Sequence, residues 1–368
     1  MRCGDEVQTV VALSQHLEKN AAHYFPDFDS GHVEVLLLSE RRRTNSAIYR
    51  FQLSGNAMCR VVLVKVPSLR GGALRDERPY FIPETDPSIK YRVQYAAMVA
   101  LHARFSGLSD ARFGSIRPLD LLPDHAAFVM EEVAGQTLKR LLPGSSRLLS
   151  PFRIGKIRDV FDHTGAWLRA FHEMPVETNL PVVRPGCTEY IDLMGELTSF
   201  LGQGLDDKLF FRSVAERTLV VARGVLSESL RLGVRFGDFG LTNVLVANDS
   251  RITGIDTLAI WRAPIYEDIG YFLTGLKTYS GQVLSLGLGF GSDRMAELEA
   301  AFLRGYFQSQ PIPLSEIRLY EILRLLERWS AKIVRMRRRG LGAQIGAPLL
   351  NRFMRKTVSS LLEETCRR

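Results

Sequence analysis

Residues 235–257 read RFGDFGLTNVLVANDSRITGIDT, with two short apolar runs, VLVAND and SRITGID, meeting at an Asn-Asp-Ser turn. Branched apolar residues on both sides of such a turn predict a β-hairpin. Asp238 and Asn243 then lie on the loop entering the hairpin, and Asp256 lies at its exit. A hairpin brings its two ends together, so Asn243 and Asp256 can face each other across it. Two hard oxygen ligands with few others is what Mg²⁺ tolerates, since it keeps several waters and borrows phosphate oxygens. Asp238, one loop away, is left to accept a proton or to orient a hydroxyl. That set of parts suits phosphoryl transfer, where positioning and charge neutralisation do most of the catalysis. Taken alone, the same loop could simply turn, its Asp and Asn capping local backbone groups.

Upstream, residues 8–20 predict a short amphipathic helix, and three β-rich runs follow: HVEVLLLSE (32–40), SAIYRFQLSG (46–55) and MCRVVLVKVP (58–67). Ser-Gly-Asn between the second and third is turn chemistry and makes them a hairpin. A polar loop rich in Gly and Pro spans 68–88. Residues 89–105 then repeat apolar positions at helical spacing, and β-like segments lie near 113–120 and 126–133. After AGQTLKRLL the character turns helical. Ser150 is a plausible N-cap with Pro151 at the first helical position, and Ile154, Ile157, Phe161, Thr164, Leu168 and Phe171 fall on one face.

At 368 residues the chain can hold two lobes, each with its own core, and 46% hydrophobic with 24% charged residues is ordinary globular composition. No apolar run approaches the roughly 18 residues of a membrane span, and the first 20 residues lack the apolar core of a secretory signal. Cys3, Cys59, Cys187 and Cys366 are scattered, which disfavours a metal site or disulfide framework and makes a reducing cytoplasm the expected setting. The net charge of +8 suggests anionic partners, and much of the excess lies in ERWSAKIVRMRRRGLGAQIGAPLLNRFMRK (327–356). Nucleic acid, an anionic membrane surface and a phosphorylated substrate all remain open there, although no zinc-finger spacing or aromatic RNA-binding motif supports the first. A solvated basic helix face is the plainer reading.

With these elements in order, the chain resembles the aminoglycoside phosphotransferase family of kinase-like enzymes, which is distantly similar to protein kinases. That family carries a loop H-G-D-x-x-x-x-N, then a hairpin, then I-D. Here FGDFGLTNVLV…ITGID matches it, with Phe236 in place of the usual His. APIYEDIGYFL resembles the family's GDPAYDLA segment and puts Asp268 at the place of a buried structural Asp. FVMEEVAGQTL resembles the strand and hinge joining the lobes, by which the backbone of Glu131 and Val133 would face an adenine ring. GAWLRAFHEM and AAFLRGYF resemble two of the family's helices, and VVLVKV places Lys65 where family members pair a Lys with nucleotide phosphates. The match runs from about residue 32 to 310.

The resemblance implies an α+β, bilobal, protein-kinase-like fold. An N-terminal helical extension (1–30) would precede a small antiparallel β-rich lobe (31–133) and a larger, mostly helical lobe (134–368). It implies an ATP- and Mg²⁺-dependent kinase acting on a hydroxyl of a small molecule. Lys65 would hold the α/β-phosphates, Asn243 and Asp256 would carry Mg²⁺, and Asp238 would orient and deprotonate the acceptor.

Two positions depart from the family pattern. The partner of the Lys is usually a Glu on the next helix, in E-Y-x-x-L-x-x-L; QYAAMVAL places Gln94 there, an amide that can hydrogen-bond to Lys65 but cannot neutralise it. The phosphate-covering loop, SERRRTNSAIYRF, has no glycine, leaving Thr44, Asn45 and Ser46 to offer N–H groups and hydroxyls and Arg41, Arg42 and Arg43 to add charge. These departures keep a nucleotide-binding pseudokinase or scaffold in view, and the basic C-terminal segment keeps a peripheral contact with an anionic membrane or lipid-linked glycan. The acceptor wall would be CTEYIDLMGELTSF (187–200), where Glu189, Asp192 and Glu196 would suit a cationic acceptor, although their spacing also fits an exposed helix face. The positive net charge argues against a polycationic aminoglycoside, and a sugar or glycan hydroxyl is the preferred acceptor by analogy.

Overall fold

The computed structural model describes residues 3–28, 32–43, 46–55, 58–67, 89–142, 151–175, 187–226, 230–257, 262–279, 291–339 and 347–366. Its strands are β1 (Glu34–Arg43), β2 (Ser46–Gly55), β3 (Met58–Pro67), β4 (Phe113–Gly114), β5 (Pro118–Leu122), β6 (Ala127–Glu131), β7 (Gln136–Thr137), β8 (Leu232–Val234), β9 (Val244–Val246), β10 (Ile252–Gly254) and β11 (Arg262–Pro264). Its helices are α1 (Cys3–Tyr24), α2 (Lys90–Ser106), α3 (Leu138–Leu141), α4 (Pro151–His172), α5 (Cys187–Gly204) and α6 (Lys208–Val225). They continue with α7 (Tyr266–Lys277), α8 (Ser292–Phe307), α9 (Leu314–Arg339) and α10 (Ala347–Cys366). The chain divides into two compact units, one of Met1–Ala73, Glu84–Ser109 and Ser115–Ala134, the other of Leu74–Pro83, Asp110–Gly114 and Gly135–Arg368.

The first unit is built on a five-stranded sheet in the order β1-β2-β3-β6-β5, with every neighbouring pair antiparallel. Alternation decides its two faces. Tyr49, Phe51 and Leu53 of β2 and Val62 and Val64 of β3 point to one side, where Leu13, Leu17, Ala21 and Tyr24 of α1 complete a buried core. The sequence predicts this helix only over 8–20. It runs on to Tyr24 because Ala21 and Tyr24 continue the buried stripe, and it stops where Pro26 disfavours helical backbone at Phe25. Tyr91 and Met98 of α2 pack with Phe128 and Met130 on a second, smaller cluster. The polar loop at 68–88 lies outside the described residues.

The single β-like segment read at 113–120 is two strands in different sheets. Phe113–Gly114 pairs in parallel with β10, while Pro118–Leu122 pairs antiparallel with β6. Hydrophobicity alone carries no trace of that break, since both halves place apolar residues in strand conformation.

The second unit is mostly helical. α4 buries Ile157, Phe161, Thr164, Leu168 and Phe171, the face its periodicity predicts; Ser150 and the side chain of Ile154 lie outside the described residues. Its backbone approaches α8 so closely that a Cβ at Gly165 would stand 2.0 Å from the Phe302 carbonyl oxygen, and one at Gly305 1.9 Å from that of Asp162. Only glycine permits that crossing. Buried ion pairs tie α7, α8 and α9 together. Lys277 reaches Glu299 at 2.9 Å and Glu321 at 2.7 Å, Arg318 pairs with Glu299, Glu321 and Glu364, and Arg324 pairs with Glu267 and Glu327. Such pairs add little net stability over apolar packing, but breaking one strands a buried charge, so they fix one arrangement of these helices. A small four-stranded sheet, β4-β10-β9-β7, and the two-stranded β11-β8 sit within this helical frame.

Candidate active site

The opening stretch is a hairpin, as its pattern predicts. Val244 to Val246 pair antiparallel with Gly254 to Ile252, and the Ile255 N–H donates to the Asn243 carbonyl at 2.9 Å just beyond the ladder. Asn243 and Asp256 therefore leave the ladder at the same end. Between β8 and β9 runs the loop that carries Asp238. The Asn243 Nδ2 donates to both the main-chain oxygen and Oδ2 of Asp238, each at 2.9 Å. Its amide oxygen is thereby turned away from Asp238, as a hard ligand requires.

Asp256 stands at φ +65°, in left-handed backbone that an Asp tolerates better than most residues but still at a cost. Its negative charge is near enough to Asp238 to raise the carboxyl there. Among the described residues no group of three or more His, Cys, Asp or Glu side chains could hold a metal ion. An amide oxygen and one carboxylate at adjacent hairpin ends fit Mg²⁺, which fills its shell with water and phosphate oxygens.

The floor of the loop is aromatic. Phe236, in the place where the family has a His, is fully buried and packs edge-on against Trp167, Phe171 and Phe239. Trp167 in turn stacks on Phe239 at 5.8 Å and 4°, and donates through Nε1 to the Gly114 carbonyl at 3.0 Å. From α7, the buried Asp268 carboxylate accepts the N–H groups of Phe236 and Gly237 at 2.6 and 2.9 Å. These are backbone donors that the loop itself leaves without partners.

Sequence reading passed over two residues beside Asp238. Tyr271 hydrogen-bonds to the Asp238 carboxylate, and burial together with that neighbouring charge pushes its phenol up. Arg328 of α9 lies over the Tyr271 ring, 4.8 Å from its centroid, and donates to Thr278 Oγ1 at 3.1 Å. Asp238 stays accessible to solvent, yet enough protein surrounds it that lost hydration raises its pKa. The hydrogen bonds from Tyr271 and Asn243 and the charge of Arg328 oppose that rise, and Asp256 adds to it. A carboxylate so placed is suited to take a proton. Tyr271 stands one turn beyond Asp268 in the same motif, a signal that was available; Arg328 comes from a distant helix and had none.

In the first unit, Lys65 lies on β3, buried, between Ile48 of β2 and Phe128 of β6, with its ammonium 5.9 Å from the centre of the Phe128 ring. Gln94 lies on α2, but its Oε1 is buried without a hydrogen-bond partner, so the bond to Lys65 that the sequence allows is not made. Ser46 begins β2 and is buried; Thr44 and Asn45 lie outside the described residues. Arg41 and Arg42 are exposed at the end of β1, and Arg42 pairs with Glu40. The amides of Glu131 and Glu132 donate to the carbonyls of Arg117 and Val61, and Arg50 grips the Glu132 carboxylate through two bonds of 2.7 Å. The chain leaves the sheet there, ahead of Val133. Glu189, Asp192 and Glu196 lie on α5 away from its buried face of Tyr190, Leu193, Met194 and Leu197. Asp192 and Glu196 are exposed, and none of the three joins the network around Asp238.

No family profile and no curated protein matches the chain in sequence. Solved structures do. A protein of Ralstonia eutropha JMP134, assigned as an aminoglycoside phosphotransferase, superposes with a TM-score of 0.57 at 12% identity, covering 95% of this chain and 98% of that one. The ethanolamine kinase of Plasmodium vivax gives 0.52 at 12% identity over 95% and 90% of the two chains. The ternary complex of APH(2″)-IIa with streptomycin and ATP gives 0.50 at 14% identity over 92% and 95%. At such identities the likeness establishes the fold: an antiparallel β-rich unit followed by a mostly helical one, as in kinase-like phosphotransferases.

Proposed function

We propose that this protein is an ATP- and Mg²⁺-dependent phosphotransferase that moves the γ-phosphoryl group to a hydroxyl of a small molecule. One observation carries the reading. Asp238 and Asn243 are hydrogen-bonded to each other, Asp256 leaves the same end of the same hairpin, and Asp268 holds the intervening loop by its main chain.

In this reading Asp238 accepts the proton of the acceptor hydroxyl as its oxygen bonds to the γ-phosphorus. The bond from that phosphorus to the β-phosphate bridging oxygen breaks, and ADP leaves. Asn243 and Asp256 would hold Mg²⁺, which when bound neutralises charge on the phosphate oxygens. Lys65 of the first unit would hold the α/β-phosphates, and the main chain at Glu131 and Val133 would meet the adenine. A sugar or glycan hydroxyl remains the acceptor this reading prefers.

The test is phosphotransfer from ATP to a panel of sugars, amino alcohols and antibiotics. Asp238→Ala should lower turnover by about 10²–10⁴-fold while Mg·ATP still raises the melting temperature. Equal loss of both would reject the general-base role. The Gln94 amide oxygen, buried without a hydrogen-bond partner, favours a second reading, a nucleotide-binding scaffold. That reading predicts stabilisation by nucleotide with no transfer to any acceptor.

A further inference from the structure

Helix α9 carries Arg328, Lys332 and Arg335 at i, i+4 and i+7, which sets three cations in one stripe along it. The stripe starts at the reacting end. Arg328 lies on the ring of Tyr271 and attracts the Asp238 carboxylate, to which Tyr271 itself hydrogen-bonds. From there the helix rise carries Lys332 about 6 Å and Arg335 about 10 Å further along the axis.

The neighbouring cations of the same helix are neutralised within the protein. Arg318 pairs with Glu299, Glu321 and Glu364, and Arg324 with Glu267 and Glu327. Those carboxylates are thereby taken. Among the described residues, Arg328, Lys332 and Arg335 have no carboxylate within ion-pair reach. Lys332 is half-buried between two like charges, and lost hydration followed by the fields of Arg328 and Arg335 pushes its ammonium pKa down. Clustering three cations, one of them half-buried, with only the Asp238 carboxylate facing Arg328 from beyond ion-pair reach, is unfavourable unless a further anion joins them.

We propose that the acceptor of the phosphoryl group carries an anionic group of its own, a phosphate or carboxylate, which Arg328, Lys332 and Arg335 hold so that its hydroxyl meets Asp238. The proposal rests on the phosphotransferase reading above and gives it a substrate class. It reverses the cationic acceptor that Glu189, Asp192 and Glu196 suggest in the sequence, since those carboxylates stand off the Asp238 network.

The experiment uses the full chain saturated with Mg·ADP and two matched sets of probes: glucose 6-phosphate, glucose and glucosamine; glycerol 3-phosphate, glycerol and 3-amino-1,2-propanediol. Inorganic phosphate and phosphatidylglycerol vesicles are separate arms. The phosphorylated member of each set, and inorganic phosphate, should bind more tightly in calorimetry than the neutral and amino members. Lys332→Gln and Arg335→Gln should each weaken that binding about tenfold or more, because a charge-assisted contact is lost. The Mg·ADP thermal shift should stay as in the unaltered protein. Arg335 is exposed, so its variant keeps the test usable if the Lys332 variant melts early.

Equal binding across each set would overturn the proposal. So would a matching loss of Mg·ADP affinity in the variants, which would assign the stripe to the nucleotide. Vesicle binding without binding of the soluble anions would assign it to a lipid surface and overturn the proposal as well. Absence of any Mg·ATP or Mg·ADP thermal shift would instead reject the phosphotransferase reading itself, whatever the probes do.

Discussion

Asp268 accepts the main-chain N–H groups of Phe236 and Gly237, 32 and 31 residues earlier, and so fixes the loop on which Asp238 stands. His172 completes the arrangement. Its Nε2 lies 3.1 Å from Asp268 and its Nδ1 2.7 Å from the Tyr306 hydroxyl, a pattern satisfied when Nε2–H donates and Nδ1 accepts. Asp268→Asn keeps the shape but removes the charge and replaces an accepting oxygen by an NH₂ group. One buried donor loses its partner, and a cost of about 1–3 kcal/mol follows. Urea unfolding should show that loss. Turnover should fall further than nucleotide affinity, because the loop rather than the phosphate contacts is loosened. Unchanged turnover in a folded Asp268→Asn protein would remove the positioning role.

Tyr271 and Asp238 give a pH signature. Burial raises the Asp238 carboxyl, and the Tyr271 hydroxyl works against that rise by donating to the charged form. A protonated Asp238 cannot take the acceptor's proton, so kcat/KM should climb with pH through its pKa. Tyr271→Phe deletes the donor and favours the neutral acid. The acid limb of the pH–rate profile should therefore move to higher pH, with a smaller loss on the plateau. A limb that stays in place or moves down would exclude Asp238 as the group being titrated.

How much of this was legible beforehand depended on whether the signal was local. The hairpin, with Asp238, Asn243 and Asp256 at its ends, could be read because turn chemistry and spacing lie within 235–257. Asp268 followed from the resemblance of a neighbouring segment to the family's GDPAYDLA run. The face of α4 followed from period alone. Long-range partners were not readable. Nothing near residue 113 says that Phe113–Gly114 will join β10 while Pro118–Leu122 joins β6. Nothing near residue 328 says that its guanidinium will rest on Tyr271. The acidic residues of α5 could not be assigned from sequence for a physical reason, since charges three and four apart mark an exposed helix face as readily as a binding wall.

Gly254 and Trp167 set the height of the hairpin exit. A Cβ on Gly254 would meet Cη2 of the indole at 2.3 Å. The ring cannot yield, because it is stacked between Phe171 and Phe239 at interplanar angles of 13° and 4°. Gly254→Ala should therefore displace β10 and cost about 1–3 kcal/mol of stability. Trp167→Phe removes the clashing atoms, although it also loses the bond to Gly114. Combined in a double-mutant cycle, the two changes should be less destabilising than their sum by at least about 0.5 kcal/mol. Strict additivity in denaturant melts would mean that the contact does not position the strand.

Asp256 combines an unfavourable backbone with a carboxylate beside another carboxylate. At φ +65° a side chain costs about 1 kcal/mol or more, and the charge lies close enough to raise Asp238. Asp256→Gly separates the two effects, since glycine occupies left-handed backbone freely and carries no ligand. The chain gains relief of strain and of like-charge repulsion but loses unfolded-state restraint, so stability should stay within about 1 kcal/mol of the original. Mg²⁺-dependent nucleotide binding should nevertheless collapse, and a titration of Mg²⁺ against the ATP-induced melting shift would register it. Asp256→Asn should fall between, retaining one oxygen and losing the charge. A glycine variant that melts much earlier yet keeps its Mg²⁺ dependence would make Asp256 a structural residue and leave Asn243 without its fellow ligand.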